Sequence, residues 1–417
     1  METVTTNPNR YYFPTEFPKE NLLYKQQKWL LYDSDNLYPQ RLLTSLSCPI
    51  HNAICNTKRT YSIGEGLNWD KQDLDLTKFL EGIDVNHLLD KSMYDMILFG
   101  GFSWLIKWSL NLQYIVSVEH VSYAKVRIEF PEVDGNYSGY WVSGDWSAYL
   151  ASQRYQPQYI EKFDENVRDT RKCYLINFAS YSPTRNYYAI PDYHAVIKWL
   201  NLDLEIANFH TNNVKNGFVN TAFLAMPPVG DENQEREFVK RANNMYSGTN
   251  NAGRLMVAFG EPSAAGGTTM PVFTPINTSN NADIYANLQS EIKTQIISGH
   301  GLNSPTLAGL AGQGGLGGNA SEIKTSVEIF QNTIIKRYQT PVLEKLKEIL
   351  NINGLDTDVS IRQTMPIKYI FSEALMEKIM TSNELRKELG LSPLEGGDKL
   401  TSVSTNSFFS LVPQNKD

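Results

Sequence analysis

Two stretches of this 417-residue chain carry apolar residues in helical stripes. Over 192–216, within PDYHAVIKWLNLDLEIANFHTNNVKNG, Ile197, Leu200, Leu204 and Ala207 share one face, and Val196, Trp199, Ile206 and Phe209 lie beside it. Pro191 and Asp192 open this helix and Gly217 closes it. At 1.5 Å per residue it is about 37 Å long, a strut with an apolar face broad enough to be packed on two sides. The second stripe, over 281–298, is a narrow line of Ile284, Leu288, Ile292 and Ile296, with Gly299 as its expected stop.

The segment between the struts has its own pattern: a strand in VNTAFLAM, a polar helix in DENQEREFVKRANNMYSG and a strand in RLMVAF. Upstream, 33–67 reads as a helical hairpin, with Leu42, Leu43 and Leu46 in a first turn, Pro49 opening a second helix and Gly64 and Gly66 ending it. From 100 to 188 Trp, Tyr, Val and Ile alternate with turn residues in FSWLIKWS, LQYIVSVEHV, AKVRIEF and KCYLINF, which predicts strands, and VDGN predicts a hairpin turn. Downstream, Asn319 with Glu322 opens a helix whose Ile323, Val327, Phe330 and Ile334 face one way, and Pro341 should kink or break it. Thr381 with Glu384 forms a capping box for a last helix stopped at Gly390, and beyond Thr401 the chain is polar and loosely ordered. The fold class is α+β, with no internal repeat.

Composition narrows the function more than the fold. A hydrophobic share of 41% supports real cores, and the length suits two or three sub-structures. A net charge of −7 without a Lys/Arg cluster argues against tight capture of nucleic acid, whose affinity comes from counterion release. Cys48, Cys55 and Cys173 fit neither a disulfide framework nor a zinc site, so a reducing compartment is expected. The polar start, METVTTNPNRYYFPTEF, is unlike a signal peptide, and no apolar run is long enough to cross a bilayer, so a soluble protein is expected.

Catalytic chemistry finds little support. GLAGQGGLGGNAS contains G-x-G-x-x-G at Gly312, Gly314 and Gly317, yet a helix precedes it, and NTIIKRYQT, where a ribose-binding carboxylate would lie, has none. The histidines, His51, His87, His120, His194, His210 and His300, are scattered without H-E-x-x-H, and there is no G-x-S-x-G elbow. Asp73 and Asp75 read as part of a solvated turn. No metal, cofactor or catalytic residue is expected.

In order along the chain, DNLYPQRLLTSLSCPIHNAICNTKRTYSIGEGL, SPTRNYYAIPDYHAVIKWLNLDLEIANFHTNNVKNGF, NAGRLMVAF, LQSEIKTQIISGHGLNSPTLAGL and TSNELRKELGLSPLEGGDKL resemble segments of tailed-bacteriophage portal proteins. The resemblance is to the compact siphophage type, as in phages of Bacteroidetes-type hosts. It implies a portal fold: an α/β wing over 1–190, a stem helix over 191–217, a small inserted α/β clip over 218–275, a second stem helix over 276–299, a tunnel loop over 300–320, a kinked wing helix and strand over 321–372 and a reduced crown over 373–417. It implies a homo-oligomeric ring of about twelve subunits at one capsid vertex of the virion, assembled in the host bacterial cytoplasm. The implied partners are the terminase large subunit, a head-tail adaptor, the major capsid protein and double-stranded DNA, which passes through without sequence-specific binding; no membrane is involved.

Under this resemblance Gly309, Gly312, Gln313, Gly314, Gly315, Leu316, Gly317, Gly318 and Asn319 face the DNA, with glycine giving the loop freedom of φ. Glu235, Arg236 and Lys240 lie on the docking helix of the clip, and Ile197, Leu200, Leu204, Ile284, Leu288 and Ile292 pack the stem. The alternatives are another oligomeric virion protein, such as an adaptor or baseplate component, and a nucleotide-binding enzyme.

Overall fold

The computed structural model describes residues 16–21, 28–69, 84–215, 222–226, 233–234, 236–237, 255–259, 272–275, 281–308, 320–364, 380–388 and 392–398. The chain divides into two units, Met1–Leu316 with Ser326–Thr364, and Gly317–Thr325 with Met365–Asp417.

The first unit opens with strands β1 (Glu20–Asn21) and β2 (Leu31–Tyr32), which pair antiparallel. Helices α1 (Tyr38–Thr44) and α2 (Pro49–Ile63) follow, each with a proline in its first turn, where a missing N–H costs nothing. This is the expected hairpin, with α1 longer than the single turn foreseen. After β3 (Leu67–Trp69) comes α3 (Val85–Phe99), for which the sequence pattern gives no expectation. Its last four residues, Met96 to Phe99, are all buried, so no polar face marks its period.

Six strands then build one sheet: β4 (Gly101–Trp108), β5 (Ile115–Val121), β6 (Val126–Ile128), β7 (Gly139–Val142), β8 (Gln158–Lys162) and β9 (Tyr174–Ala179). Their order is β5-β4-β9-β8-β7-β6, antiparallel except for β8 beside β9. The expected strands fall on β4, β5, β6 and β9, whereas β7 and β8 are additional. The VDGN turn joins β6 to β7, with Gly135 N–H bonded to Glu132 O at 3.0 Å. Period-two alternation puts Phe102, Trp104 and Ile106 on one face beside Phe178, Ile176 and Tyr174. The Trp104 indole donates to Ser92 Oγ of α3 at 2.7 Å, tying sheet to helix.

A 3-10 turn (Asp192–Val196) leads into α4 (Ile197–Lys215), so the regular helix starts five residues later than Asp192 suggested. Next come β10 (Ala222–Met226), β11 (Leu255–Phe259) and β12 (Val272–Pro275), a sheet of order β11-β10-β12. β10 and β11 run parallel, as a strand–helix–strand crossover requires, and the unforeseen β12 closes the other edge of β10 antiparallel. α5 (Asn281–Gly299) follows, then a 3-10 turn (Pro305–Ala308).

α6 (Ala320–Phe330) and α7 (Lys336–Ile352) are joined by a π-helical turn, Gln331–Ile335. Here two expectations are corrected. Pro341 lies inside an unbroken α7, and the irregularity sits upstream, in the π-turn. The extra residue of that turn shifts the buried stripe, so Ile335 is 1% exposed while Ile334, the expected position, is only partly buried. β13 (Val359–Ile361) pairs with β3.

In the second unit, α8 (Ser382–Glu388) carries the expected capping box: Thr381 N–H donates to Glu384 Oε2 at 2.8 Å and Glu384 N–H to Thr381 Oγ1 at 3.2 Å. Its expected stop, Gly390, the turn at Asp73 and Asp75 and the tail beyond Thr401 lie outside the described residues.

Candidate functional site: the paired helices and their buried junction

Helices α4 and α5 pack against each other. The C-terminal residue of α5, Gly299, faces Val196, just ahead of the first residue of α4, so the two run antiparallel. Ile197, Leu200 and Ile206 of α4 and Ile292 and Ile296 of α5 are buried, while Leu204 and Leu288 are partly buried. Each fully buried side chain of this size contributes about 1.5–3 kcal/mol. The side chain of Ile284 lies outside the described residues. Farther along the pair Gln289 Nε2 meets His210 Nε2 at 3.3 Å. The face expected to be packed on two sides is covered on one: Ala207 is exposed and Phe209 is 43% exposed.

The β10–β12 sheet lies in sequence between these helices. Of its expected docking residues, Arg236 is helical and exposed, and Glu235 and Lys240 lie outside the described residues. So does the whole of 309–319, with Gly309, Gly312, Gln313, Gly314, Gly315, Leu316, Gly317, Gly318 and Asn319. The first part of the expected loop is ordered, since His300, Leu302, Leu307 and Ala308 are buried.

The stop of α5 also differs from the sequence reading. Gly301, at φ +73°, takes the left-handed position, with Leu302 N–H on Ile297 O at 3.2 Å and Gly301 N–H on Ser298 O at 2.9 Å, a Schellman motif. Gly299 remains helical and is needed for another reason: a Cβ there would overlap Val196 Cγ2.

Where the paired helices meet α2, polar side chains are buried together. Ser45 Oγ donates to Leu42 O at 2.6 Å, so it accepts from His51 Nε2 at 2.9 Å. His51 Nδ1 then accepts from His300 Nε2 at 2.9 Å, and His300 Nδ1 is left buried without a partner. Burial, reinforced by the Lys58 charge, pushes the His51 pKa down to about 4, and the same causes hold His300 well below its usual range. The ring of Tyr193 stacks on His300 with centroids 5.4 Å apart. Lys58 itself is 1% exposed and donates to the Tyr338 hydroxyl at 2.9 Å, which donates to Asp192 Oδ2 at 3.1 Å. Burial lowers the Lys58 pKa. Cys48 Sγ, just ahead of α2, donates to Asp203 Oδ2 of α4 at 3.3 Å, a further tie between the start of α2 and α4.

This junction joins residues of α2, the 3-10 turn before α4, the turn after α5, and α7. The histidines are scattered along the sequence, and the fold brings two of them together: His51 and His300 are 249 positions apart and in direct contact. One signal was available, because Lys58 continues the α2 stripe of His51, Ile54, Cys55 and Ser62, and a lysine at a buried helical position marks a polar partner from elsewhere. His194, also singled out from the sequence, is buried and bonds Tyr38 OH at 2.9 Å.

Among the described residues, no cluster of His, Cys, Asp or Glu is arranged to hold a metal, and no helix is long and apolar enough to cross a membrane. No protein-family model matches the chain, and neither does any curated protein sequence. Solved structures do. A chain in the neck of an empty gene transfer agent (GTA) particle, with C6 symmetry, is similar at TM-score 0.51 and 14% identity over 85% of this chain and 94% of that one. The virion of a native GTA particle gives 0.48 at 15% identity over 85% and 94%, and an HK97-family phage portal protein from Corynebacterium diphtheriae gives 0.46 at 8% over 77% and 94%. The first of these shows a common fold: this mixed helix-and-sheet chain is folded like that chain of the GTA neck.

Proposed function

We propose that the chain is a portal protein, a ring at one capsid vertex through which the genome is packaged, retained and ejected. The observation that carries this reading is the antiparallel pair α4 and α5 enclosing, in sequence, the three-stranded β10–β12 sheet, on a base made of the six-stranded sheet and its helices. In this reading 1–190 and 321–372 are the wing, 191–217 and 276–299 the stem, 218–275 the clip, 300–320 the tunnel-loop region and 373–417 a reduced crown. The terminase large subunit, and later a head-tail adaptor, dock on the clip, the major capsid protein surrounds the wing, and double-stranded DNA slides through the centre. Assembly takes place in the host cytoplasm, and the protein acts structurally, as a channel and not as an enzyme.

The similarity to a GTA neck chain determined with sixfold symmetry supports a ring. So does the exposed flank of α4 at Ala207 and Phe209, which a neighbouring copy would cover. The purified protein viewed by electron microscopy down its symmetry axis should show a closed ring of about twelve copies. A monomer or dimer under every condition tried refutes the proposal.

A further inference from the structure

A groove of about 1020 Å³ opens between the end of β8, the loop after it and the C-terminal turn of α7. Its walls combine aromatic rings with carboxylates. The rings of Tyr137, Tyr159, Phe163 and Tyr174 line it, and so do the carboxylates of Glu161, Asp164, Glu165 and Glu348, against the single cation of Lys162. Two of the carboxylates are already engaged, Glu161 with Lys172 at 2.5 Å and Glu348 with Lys345 at 2.7 Å. Asp164 accepts from the Asn166 backbone N–H at 2.9 Å, and exposed Glu165 makes no ion pair with another described residue. Lys162 Nζ stands 5.0 Å over the Tyr137 ring, so an aromatic face of the groove already holds a cation.

An independent observation lies in the inner wall. Tyr174 is 1% exposed, and its hydroxyl is buried beside the Asp169 backbone without a well-formed hydrogen bond. A phenolic oxygen so placed can accept a hydrogen bond from a donor that reaches the inner wall, which lowers part of the roughly 1–3 kcal/mol that a buried hydroxyl without a partner costs.

We infer that this groove docks an arginine-bearing extended segment of another protein. A guanidinium is flat, stacks on aromatic rings, pairs with carboxylates in two-point geometry and has donors to spare for a phenolic oxygen, which is the combination the walls offer. The same carboxylates repel phosphates and disfavour nucleic acid as the occupant. This surface is separate from the α4–α5 pair, so its failure leaves the ring reading standing, and the reverse also holds.

The test uses the full-length protein and a fluorescein-labelled peptide of three arginines alternating with glycine, with a citrulline version as the neutral control, followed by fluorescence anisotropy. The arginine peptide should bind and the citrulline peptide should bind at least about tenfold more weakly, as charge-assisted pairing predicts. Glu165→Lys should weaken binding by about tenfold, and Tyr174→Phe, which keeps the ring, by about threefold to tenfold. Glu65→Lys, an equal change of charge at an exposed site outside the groove, should stay within about twofold. Equal binding of both peptides, equal loss in Glu65→Lys and Glu165→Lys, or an unchanged Tyr174→Phe would each overturn the assignment. So would slower hydrogen exchange at 163–167 in the assembled than in the dissociated peptide-free protein, beyond the protection given by the segment's own hydrogen bonds to Leu175 and Asp164, which would mean that another copy of the chain already fills the groove.

Discussion

Gly299 lies inside the last turn of α5, against Val196. Its position at the end of an apolar stripe suggests a helix stop, yet the stop belongs to Gly301, and Gly299 is small because Val196 sits against it. Gly299→Ala should therefore destabilise the first unit by roughly 1–3 kcal/mol, the usual cost of overpacking, and Val196→Ala in the same chain should restore part of the loss. Denaturant melts of the single and double variants measure this, and purely additive costs would refute the contact. The buried histidines carry a second expectation. Both pKa values are depressed in the fold, so their stabilisation is complete above the ordinary value near 6.5 and is lost as pH falls below it, for His51 down to about 4. The loss should approach about 1.4 kcal/mol per pH unit for each proton taken up. His300→Gln should flatten the difference in stability between pH 7 and pH 4.5, as read by urea unfolding at each pH. Lys58, whose charge faces both rings, adds to the depression, while Asp192, bonded to Tyr338, acts on Lys58 itself and opposes the lowering of its pKa by burial.

At the scale of elements, the struts were legible because their apolar residues repeat at helical spacing, and β4, β5, β6 and β9 because theirs alternate. Helix α3 was not, since burial on several sides erases the polar face that marks a period. Strand β12 was missed because VFTP is too short to show alternation; only its pairing with β10 defines it. The π-turn was missed because one added residue leaves composition unchanged and shows only as a shift of the buried stripe from Ile334 to Ile335. The polar helix between β10 and β11 offers an element-scale prediction that rests on the portal reading. Replacing Glu235, Arg236 and Lys240 together with Ala should weaken terminase or adaptor binding by about tenfold while the ring survives, because charges at a docking surface set association more than folding. Wild-type packaging by that variant would refute the docking assignment.

For the whole molecule, the portal reading makes the glycine loop a mechanical part. Replacing Gly314, Gly315 and Gly317 with Val restricts φ and adds β-branched bulk at the narrowest point. Under that reading ring assembly should survive, because the loop is not needed to close the stem contacts, and DNA packaging or retention should fail. Particles that fill and eject normally would refute the tunnel-loop role and leave the fold untouched. A nucleotide-binding loop would instead yield saturable ATP or NAD binding in equilibrium dialysis, which the missing ribose carboxylate argues against.

What the sequence determined by itself is local: helix and strand periods, prolines at helix starts, the Thr381–Glu384 box, the hairpin turn and the order of segments that resembles a portal. These are set by residues within a few positions of one another, so they are written in the chain. The tertiary structure alone decided which strands share a sheet, why Gly299 is small, and that His51, His300, Lys58, Tyr338 and Asp192 meet in one buried junction. Such contacts join residues far apart in sequence, and no spacing or propensity encodes them, because the free energy that brings them together comes from packing the whole core.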